Sequence, residues 1–347
     1  MLKESAIATA AAVPSGRADL LPIVLRQALG SRWDLSVADG QIALAHTHRG
    51  SPFRPPRRTP SWSELLEKLK HGFAAHGVEQ APPLPLRWGR ETDLTISAVQ
   101  ALDPLLKDGR PLTYRSGFLP QPVVRFTGAR AASGELLDGF LTSFVNVSRI
   151  EPIRRVDEFG TILDDWFSVL SRLGFHARHL SAHGRLTVWR RNQVEGVTLH
   201  INHLDLPLGD IVLLWNAARP DRMAVDLGSG LERLAWARTR TSWRDLVFGE
   251  FAHLAPLQTL DAVRTACLLV GHGVHPATRG AGGATRRLIG TVDRESARLG
   301  VSSLVRASHR YWSLFGDMVV PWPAVAVTIG DELARWQKAD PTLSGRR

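Results

Sequence analysis

The chain is rich in strand-like segments before residue 260 and only helical after it, and this contrast limits the folds it can adopt. The segments typical of strands lie at 94–99, 123–126, 186–190, 197–202 and 211–215. A single long segment among them, 156–173, has apolar residues at helical spacing. Strands without regular helix alternation favour an antiparallel sheet. We therefore predict an α+β fold: an antiparallel sheet flanked by helices, followed by an all-helical domain.

The N-terminal residues carry signals of their own. Residues 20–28 have helical spacing, and Asp39-Gly40 is a turn pair that predicts a hairpin over 33–45. We expect residues 1–47 to form a small unit. The stretch that starts at Ser51 is rich in proline and arginine, which is typical of a linker.

Further helices are predicted on both sides of the sheet. Ser61 or Ser63 is suited to cap a helix that ends at Gly77. The C-terminal helices are predicted at 260–271, 283–299, 302–315 and 323–337. The expected organisation is an N-terminal extension with its linker at 1–60, a sheet domain at 61–255 and a helical domain at 256–347.

Charge and cysteine content restrict the class of protein. The net charge of +10 favours polyanionic partners such as tRNA or nucleotides, although a GC-rich coding bias toward arginine explains it equally well. The single cysteine, Cys267, excludes an internal disulfide and a cysteine-cluster metal site. No apolar run approaches the roughly 20 residues of a membrane span. Glu4 argues against a signal peptide, so we expect a cytoplasmic protein without membrane partners.

The segment Val225-Asp-Leu-Gly-Ser-Gly-Leu-Glu-Arg-Leu234 carries the clearest candidate site. In a strand that leads into a helix, Gly228 and Gly230 would let a ligand approach the backbone closely. Arg233 would then meet a polyphosphate through its planar guanidinium. Taken alone, a tight strand–helix turn explains the two glycines about as well.

Three further segments place this one in a larger pattern. They are Gln121-Pro-Val-Val-Arg125-Phe-Thr-Gly128, Gly209-Asp-Ile-Val-Leu-Leu-Trp215-Asn216, and 271–289, which follows Asp261-Ala-Val-Arg264. In this order, the four segments resemble motif 2, the Gly-Asp-x-x-x-Glu-Ile-Trp-Asn segment, motif 3 and the helical region of alanyl-tRNA synthetases. The resemblance covers residues 62–340 and identifies the chain as similar to this class II synthetase family.

The resemblance implies a class II synthetase fold that uses ATP and Mg²⁺ to activate alanine. In that family the alanine carboxylate attacks the α-phosphate of ATP, a reaction that depends on positioning and on cations. By position, Arg125 is expected to hold the α-phosphate and Arg233 the terminal phosphate. Asp226 is expected to pair with the ammonium group of alanine.

The remaining residues implied by the resemblance belong to three groups. Trp189 and Asn216 are expected to border the alanine pocket, although an aromatic core role explains Trp189 equally well. The ATP or adenylate contacts are Arg125, Arg130, Asn146, Gly228, Gly230 and Arg233. The tRNA contacts are Arg264, Arg286 and Arg287.

The chain also departs from the family pattern. The polar loop Gly-Gly-Lys-His-Asn-Asp after the motif 2 arginine is replaced by 126–135, in which Arg130 is the candidate cation. Val145 stands where the family has a carboxylate. At the positions linked to acceptor-stem contact, this chain has Thr278, Ala281 and Gly283. We expect neither an editing domain nor the family's C-terminal domain.

Histidines provide an alternative chemistry. His176, His179 and His183 lie three and four residues apart, and His200 and His203 three apart. Helical spacing of this kind can ligate a metal, but both groups fall in or beside apparent strands and lack a suitable carboxylate partner. We therefore predict no metal site in the protein itself.

Three functions follow. The first is a ligase or transferase that attaches alanine, or a similar small amino acid, to a small amine. The acceptor would be an adenylate-like nucleoside in natural-product (antibiotic) biosynthesis, and the donor alanyl-AMP or alanyl-tRNA. The second is tRNA charging by a truncated synthetase. The third is a catalytically silent paralogue that binds tRNA or a protein.

Overall fold

The computed structural model describes residues 18–48, 52–88, 93–112, 114, 116–132, 134–293 and 300–339. By its contacts the chain divides into two units that are discontinuous in sequence. Unit 1 comprises residues 1–82, 98–120 and 146–239, and unit 2 comprises 83–97, 121–145 and 240–347. The predicted parts 1–60, 61–255 and 256–347 do not coincide with these units, and their equivalence to family domains stays a prediction.

The sheet in the described part of the chain has nine strands. They are β1 Trp33–Ala38, β2 Gln41–His46, β3 Gly117–Val124, β4 Ser143–Ile153, β5 Leu180–Arg185, β6 Trp189–Arg191, β7 Val194–His203, β8 Leu206–Asn216 and β9 Met223–Gly230. Their order is β1-β2-β5-β7-β8-β9-β4-β3, and β6 pairs with β7. The predicted α+β fold with an antiparallel sheet is confirmed.

The longer helices of unit 1 are α1 Leu21–Leu29, α2 Trp62–Ala74, α3 Asp157–Arg172 and α4 Leu231–Thr239. Those of unit 2 are α5 Trp243–Phe248, α6 Leu257–Gly271, α7 Gly280–Gly290, α8 Val301–Trp312 and α9 Trp322–Ala339. The four predicted C-terminal helices are confirmed, although α7 ends at Gly290 and residues 294–299 lie outside the described part. No helix among the described residues is both long and apolar enough to cross a membrane.

Helices cover one face of the sheet in unit 1. Arg149 of β4 pairs with Asp165 of α3 at 2.7 Å, and both side chains are largely buried. Trp33 of β1 stacks on Phe167 of α3, with 4.2 Å between ring centroids. Because side chains alternate along a strand, the positions next to Arg149 must point to the opposite face.

The N-terminal residues join this unit instead of forming one of their own. The hairpin at Asp39-Gly40 is confirmed, and both turn residues have positive φ, 51° and 71°. β2 then pairs with β5, which extends the main sheet. Helix α1 packs on α3 so closely that a Cβ at Gly160 would lie 2.8 Å from that of Ala28. The predicted separate unit is therefore wrong for residues 18–47, and residues 1–17 lie outside the described part.

Two strand predictions are wrong. Residues 94–99 form no strand: Ala98–Leu102 is a 3₁₀ helix, and Thr95 donates through its backbone N–H to Leu86 O and through its hydroxyl to Pro85 O. The segment at 186–190 overlaps β6 only at its end. Thr95 thus bonds within a loop and not to a neighbouring strand, so a short apolar run alone indicated the wrong structure.

Helix α2 begins with a capping box at Ser61. Its hydroxyl accepts the N–H of Glu64 at 3.2 Å, and the Glu64 carboxylate accepts the N–H of Ser61 at 2.7 Å. Hydrogen bonds from Arg58 and from the backbone of Ser61 lower the pKa of Glu64 to about 2. We expect Ser61→Ala to lower the free energy of unfolding by about 1 kcal/mol. Urea denaturation would measure this loss, and Ser63→Ala is the control; a larger loss for Ser63→Ala would contradict the assignment.

Candidate functional site

The face of the sheet opposite α3 in unit 1 carries a cluster of polar side chains. Ser148 of β4 and Asp210 of β8 both pair in register with Gly228 of β9. Directly paired residues in antiparallel strands point to the same face. Asn146 and Asp226 lie two residues from Ser148 and Gly228, so they share this face too. We call the face that bears Asn146, Ser148, Asp210 and Asp226 the open face because no α3 contact in the described part of the chain lies on it, while Asn146, Ser148 and Asp226 themselves are buried.

Asp226 lies at the base of the open face and is only 9% exposed. The Ser148 hydroxyl lies 3.3 Å from Asp226 Oδ1 and 3.0 Å from the carbonyl oxygen of Leu227. A carboxylate so far removed from water is stabilised by a cation that reaches it. This geometry suits the predicted contact with an ammonium group.

Gly228 lies between two polar side chains of the open face. A Cβ at this position would lie 3.3 Å from Asn146 Oδ1 and 3.7 Å from Asp210 Oδ1. A side chain at this position would contact both side-chain oxygens, so the missing Cβ lets Asn146 and Asp210 lie close to the backbone. Gly230, the last residue of β9, pairs with Asn146.

Trp189 also lies on the open face. It pairs with Gly196, where a Cβ would come within 2.7 Å of the indole ring, and its Nε1 donates to Thr198 Oγ1 at 3.0 Å. Thr198 pairs with Val212 and Val212 with Asp226. Two strand spacings of about 4.8 Å therefore separate Thr198 from Asp226, roughly 10 Å in all. The indole is 38% exposed, so the core role for Trp189 is wrong.

Asn216 has a structural role. Its Nδ2 donates to the carbonyl oxygen of Leu106 at 2.6 Å, and its Oδ1 accepts the N–H groups of Ala218 and Arg219. Three of the four hydrogen bonds available to the amide are thus made within the protein. The side chain is also buried. We therefore withdraw Asn216 as an alanine contact; it fixes the turn after β8.

Arg233 is the third residue of α4, which follows β9 directly, and its side chain is half-buried. It shares its unit with Asp226 and Gly228. The strand that leads into a helix, predicted for 225–234, is confirmed.

Arg125 follows β3 and belongs to unit 2. Its backbone N–H donates to Thr142 O at 2.7 Å, and its Nε donates to Ile96 O at 2.6 Å. The guanidinium lies over the ring of Phe144, 5.1 Å from the centroid. These contacts orient the side chain, while its predicted phosphate contact stays a prediction.

Arg130 and Arg287 lie on the same cavity of unit 2. The cavity has a volume of about 400 Å³, and both side chains are exposed. Arg130 Nη1 donates to Gly134 O at 2.8 Å. The sequence analysis predicted different ligands for them: ATP for Arg130 and tRNA for Arg287.

Two of the predicted tRNA contacts are occupied by the protein itself. Arg264 is 3% exposed, donates to the carbonyl oxygen of Ser143 and packs against the ring of Trp312 at 4.3 Å. Arg286 is ion-paired with the buried Glu332 at 2.9 Å. We withdraw Arg264 as a tRNA contact, because its guanidinium cannot reach a phosphate backbone from this position. Arg286 joins α7 to α9.

The histidines divide into two kinds. His183 and His200 pair across β5 and β7 on the open face, with ring centroids 5.7 Å apart. His179 and His203 are buried, and the ring of Phe175 contacts His203 edge-on at 4.9 Å. Across the described ranges, no group of three or more histidines, cysteines and carboxylates could hold a metal ion.

Sequence reasoning missed Ser148, Asp210 and Thr198. The alternation Val145-Asn-Val-Ser148 was a signal for a strand with one polar face. Comparison with protein-family models and with curated proteins found no match to this chain. The class that the described residues define is thus an α+β protein whose antiparallel sheet carries a buried carboxylate on a polar face.

Proposed function

We propose that the protein is an alanyl-tRNA-synthetase-like ligase or transferase that attaches alanine, or a similar small amino acid, to a small amine acceptor. The buried carboxylate of Asp226, on the same sheet face as Asn146, Ser148 and Asp210, is the observation that supports this function best. A fixed carboxylate at the base of a polar face suits a small ligand with an ammonium group. The indole of Trp189 bounds the same face and would limit the size of the side chain.

The proposed reaction has two steps. A carboxylate oxygen of alanine attacks the α-phosphorus of ATP, the bond to the β-phosphate oxygen breaks, and pyrophosphate leaves. The acceptor amine then attacks the carbonyl carbon of alanyl-AMP, AMP leaves, and the amine loses a proton to solvent. With alanyl-tRNA as donor, the ester oxygen of the tRNA leaves instead. Within unit 1, Asp226 orients the ammonium group and Arg233 is the candidate cation for the phosphates.

Mg²⁺ would enter with ATP in this proposal. Protein sites for Mg-nucleotides use one or two carboxylates, and substrate phosphates and water complete the coordination. The open face offers two carboxylates, Asp210 and Asp226, which lie on adjacent strands. Of these, Asp210 is the better candidate, because Asp226 is assigned to the ammonium group. Mg²⁺ would neutralise charge on the phosphates.

Pyrophosphate exchange with alanine tests the proposal. The protein would be incubated with alanine, ATP and labelled pyrophosphate, with and without tRNA, and labelled alanyl-tRNA would be measured in parallel. We expect alanine-dependent exchange without efficient tRNA labelling. Efficient labelling would show that the protein charges tRNA. If exchange is absent, alanyl-tRNA with an adenosine-like amine tests the transferase form, and no transfer there would refute both forms.

A further inference from the structure

Unit 2 contains a cavity between α6, α7 and the segment 126–142, which we call the α6–α7 cavity. Its volume of about 400 Å³ lies within the range of roughly 300–1,000 Å³ typical of small-molecule sites. None of the open-face residues of unit 1 lines it. The cavity is a second candidate site, and all its lining residues belong to unit 2.

Part of the cavity lining is apolar. Phe126 lines it with a ring that is 46% exposed, and Ala262, Ala284 and Leu288 contribute small or aliphatic side chains. An exposed aromatic ring gains by stacking with a planar heterocycle. The exposed ring of Phe126 therefore favours a ligand with a flat aromatic group.

The charged groups of the cavity favour an anion. Arg130 and Arg287 contribute two guanidinium groups, which bind phosphate through paired hydrogen bonds. Asp261 is the one carboxylate among the lining residues, and it already accepts the N–H of Thr142 at 2.9 Å. The two cations therefore outnumber the single carboxylate. Gln258 and Thr291 add polar groups that suit the edge of a base.

The size of the cavity favours a small molecule over a nucleic acid chain. Nucleic acids are bound through many phosphates along an extended surface. Here two arginines line a cavity with room for one small molecule, while Arg264 is buried and Arg286 is ion-paired with Glu332. The lining thus combines an exposed aromatic ring with two guanidinium groups.

We propose that the α6–α7 cavity binds a nucleoside monophosphate, with its phosphate at Arg130 and Arg287 and its base against Phe126. Binding as such does not depend on the proposed function.

Protection of an introduced cysteine tests the proposal at the cavity itself. The native Cys267 is fully buried, and burial raises its pKa to about 12, so it reacts slowly with a maleimide. Ala284→Cys would place a reactive thiol on the cavity wall, and Thr291→Cys is a second reporter should the first fail to fold. We expect saturating AMP to slow maleimide labelling of either reporter about tenfold. Adenosine and inorganic phosphate at the same concentration should slow it less than about twofold.

Matched controls make the result specific. Adding Arg287→Ala to the reporter should raise the AMP concentration for half-maximal protection about tenfold. Adding Arg310→Ala, an exposed arginine of α8 outside the cavity, should leave it unchanged. A Ser302→Cys reporter on α8 should show no protection. Equal protection by phosphate alone, or no protection by AMP, would overturn the proposal. Since alanine and ATP are absent from this assay, its outcome is independent of pyrophosphate exchange.

Discussion

Asp226→Asn is expected to lower alanine-dependent pyrophosphate exchange about 100-fold, because the neutral amide loses the ionic contact with the ammonium group. Removing one partner of a buried, hydrogen-bonded charge pair costs about 2–5 kcal/mol, and about 2.7 kcal/mol corresponds to 100-fold. The asparagine keeps an oxygen near the Ser148 hydroxyl, so the strand geometry should survive. Exchange rates measured over a range of alanine concentrations would provide the comparison.

Asp221→Asn is the matched control for this substitution. Asp221 lies in the same unit, before β9, where its exposed carboxylate pairs with Arg219 at 3.3 Å. Exposed ion pairs are screened by solvent and contribute little, so we expect less than about a twofold change in exchange. Wild-type exchange by Asp226→Asn would refute the assignment of the ammonium contact, even if the proposed reaction holds.

Arg264→Ala is expected to lower the free energy of unfolding of unit 2 by about 3–5 kcal/mol. The substitution removes a buried cation and its contacts with Ser143 and Trp312. It also removes a positive charge that favours the ionised form of Asp261, whose pKa burial raises. Urea denaturation followed by circular dichroism should show the transition at a clearly lower urea concentration.

Two further substitutions at arginine make this prediction specific. Arg264→Lys keeps the charge but loses the planar group that packs on the aromatic rings, so an intermediate loss of stability is expected. Arg310→Ala on α8 removes an exposed arginine and should change stability by less than about 0.5 kcal/mol. An unchanged transition in Arg264→Ala would show that the guanidinium is not buried, and a tRNA contact at this residue would again be open.

The elements predicted well are those whose signal is local. The capping box at Ser61, the turn at Asp39-Gly40 and the amphipathic helix α3 depend on residues within a few positions of one another. Strands β4 and β5 were missed because their pattern is mixed. β4 carries Arg149 on the face that α3 covers. There the carboxylate of Asp165, 16 residues further along the chain, pairs with Arg149 and offsets the cost of burying its charge.

The candidate site was predictable only in part for the same reason. The motif around Asp226 and Gly228 is continuous in sequence, so both residues could be identified as site candidates from the sequence alone. Asn216 and Arg264 find their partners 110 and 121 residues away, at Leu106 and Ser143. The spacing of residues along the chain does not reveal such distant partners. Both residues were therefore predicted to bind ligands, and only the fold shows that they contact the protein itself.

The division of unit 2 into three separate segments has a consequence for protein synthesis. Asp93 accepts the N–H of Ala281, 188 residues further on, and Thr142 donates to Asp261, 119 residues further on. A ribosome produces residues 83–97 and 121–145 long before their helical partners exist. These early segments must therefore wait without their final contacts until α6 and α7 emerge, a period in which aggregation is a hazard. Unit 2 can complete its folding only late in translation, so slow synthesis of the last third of the chain should reduce the yield of folded protein.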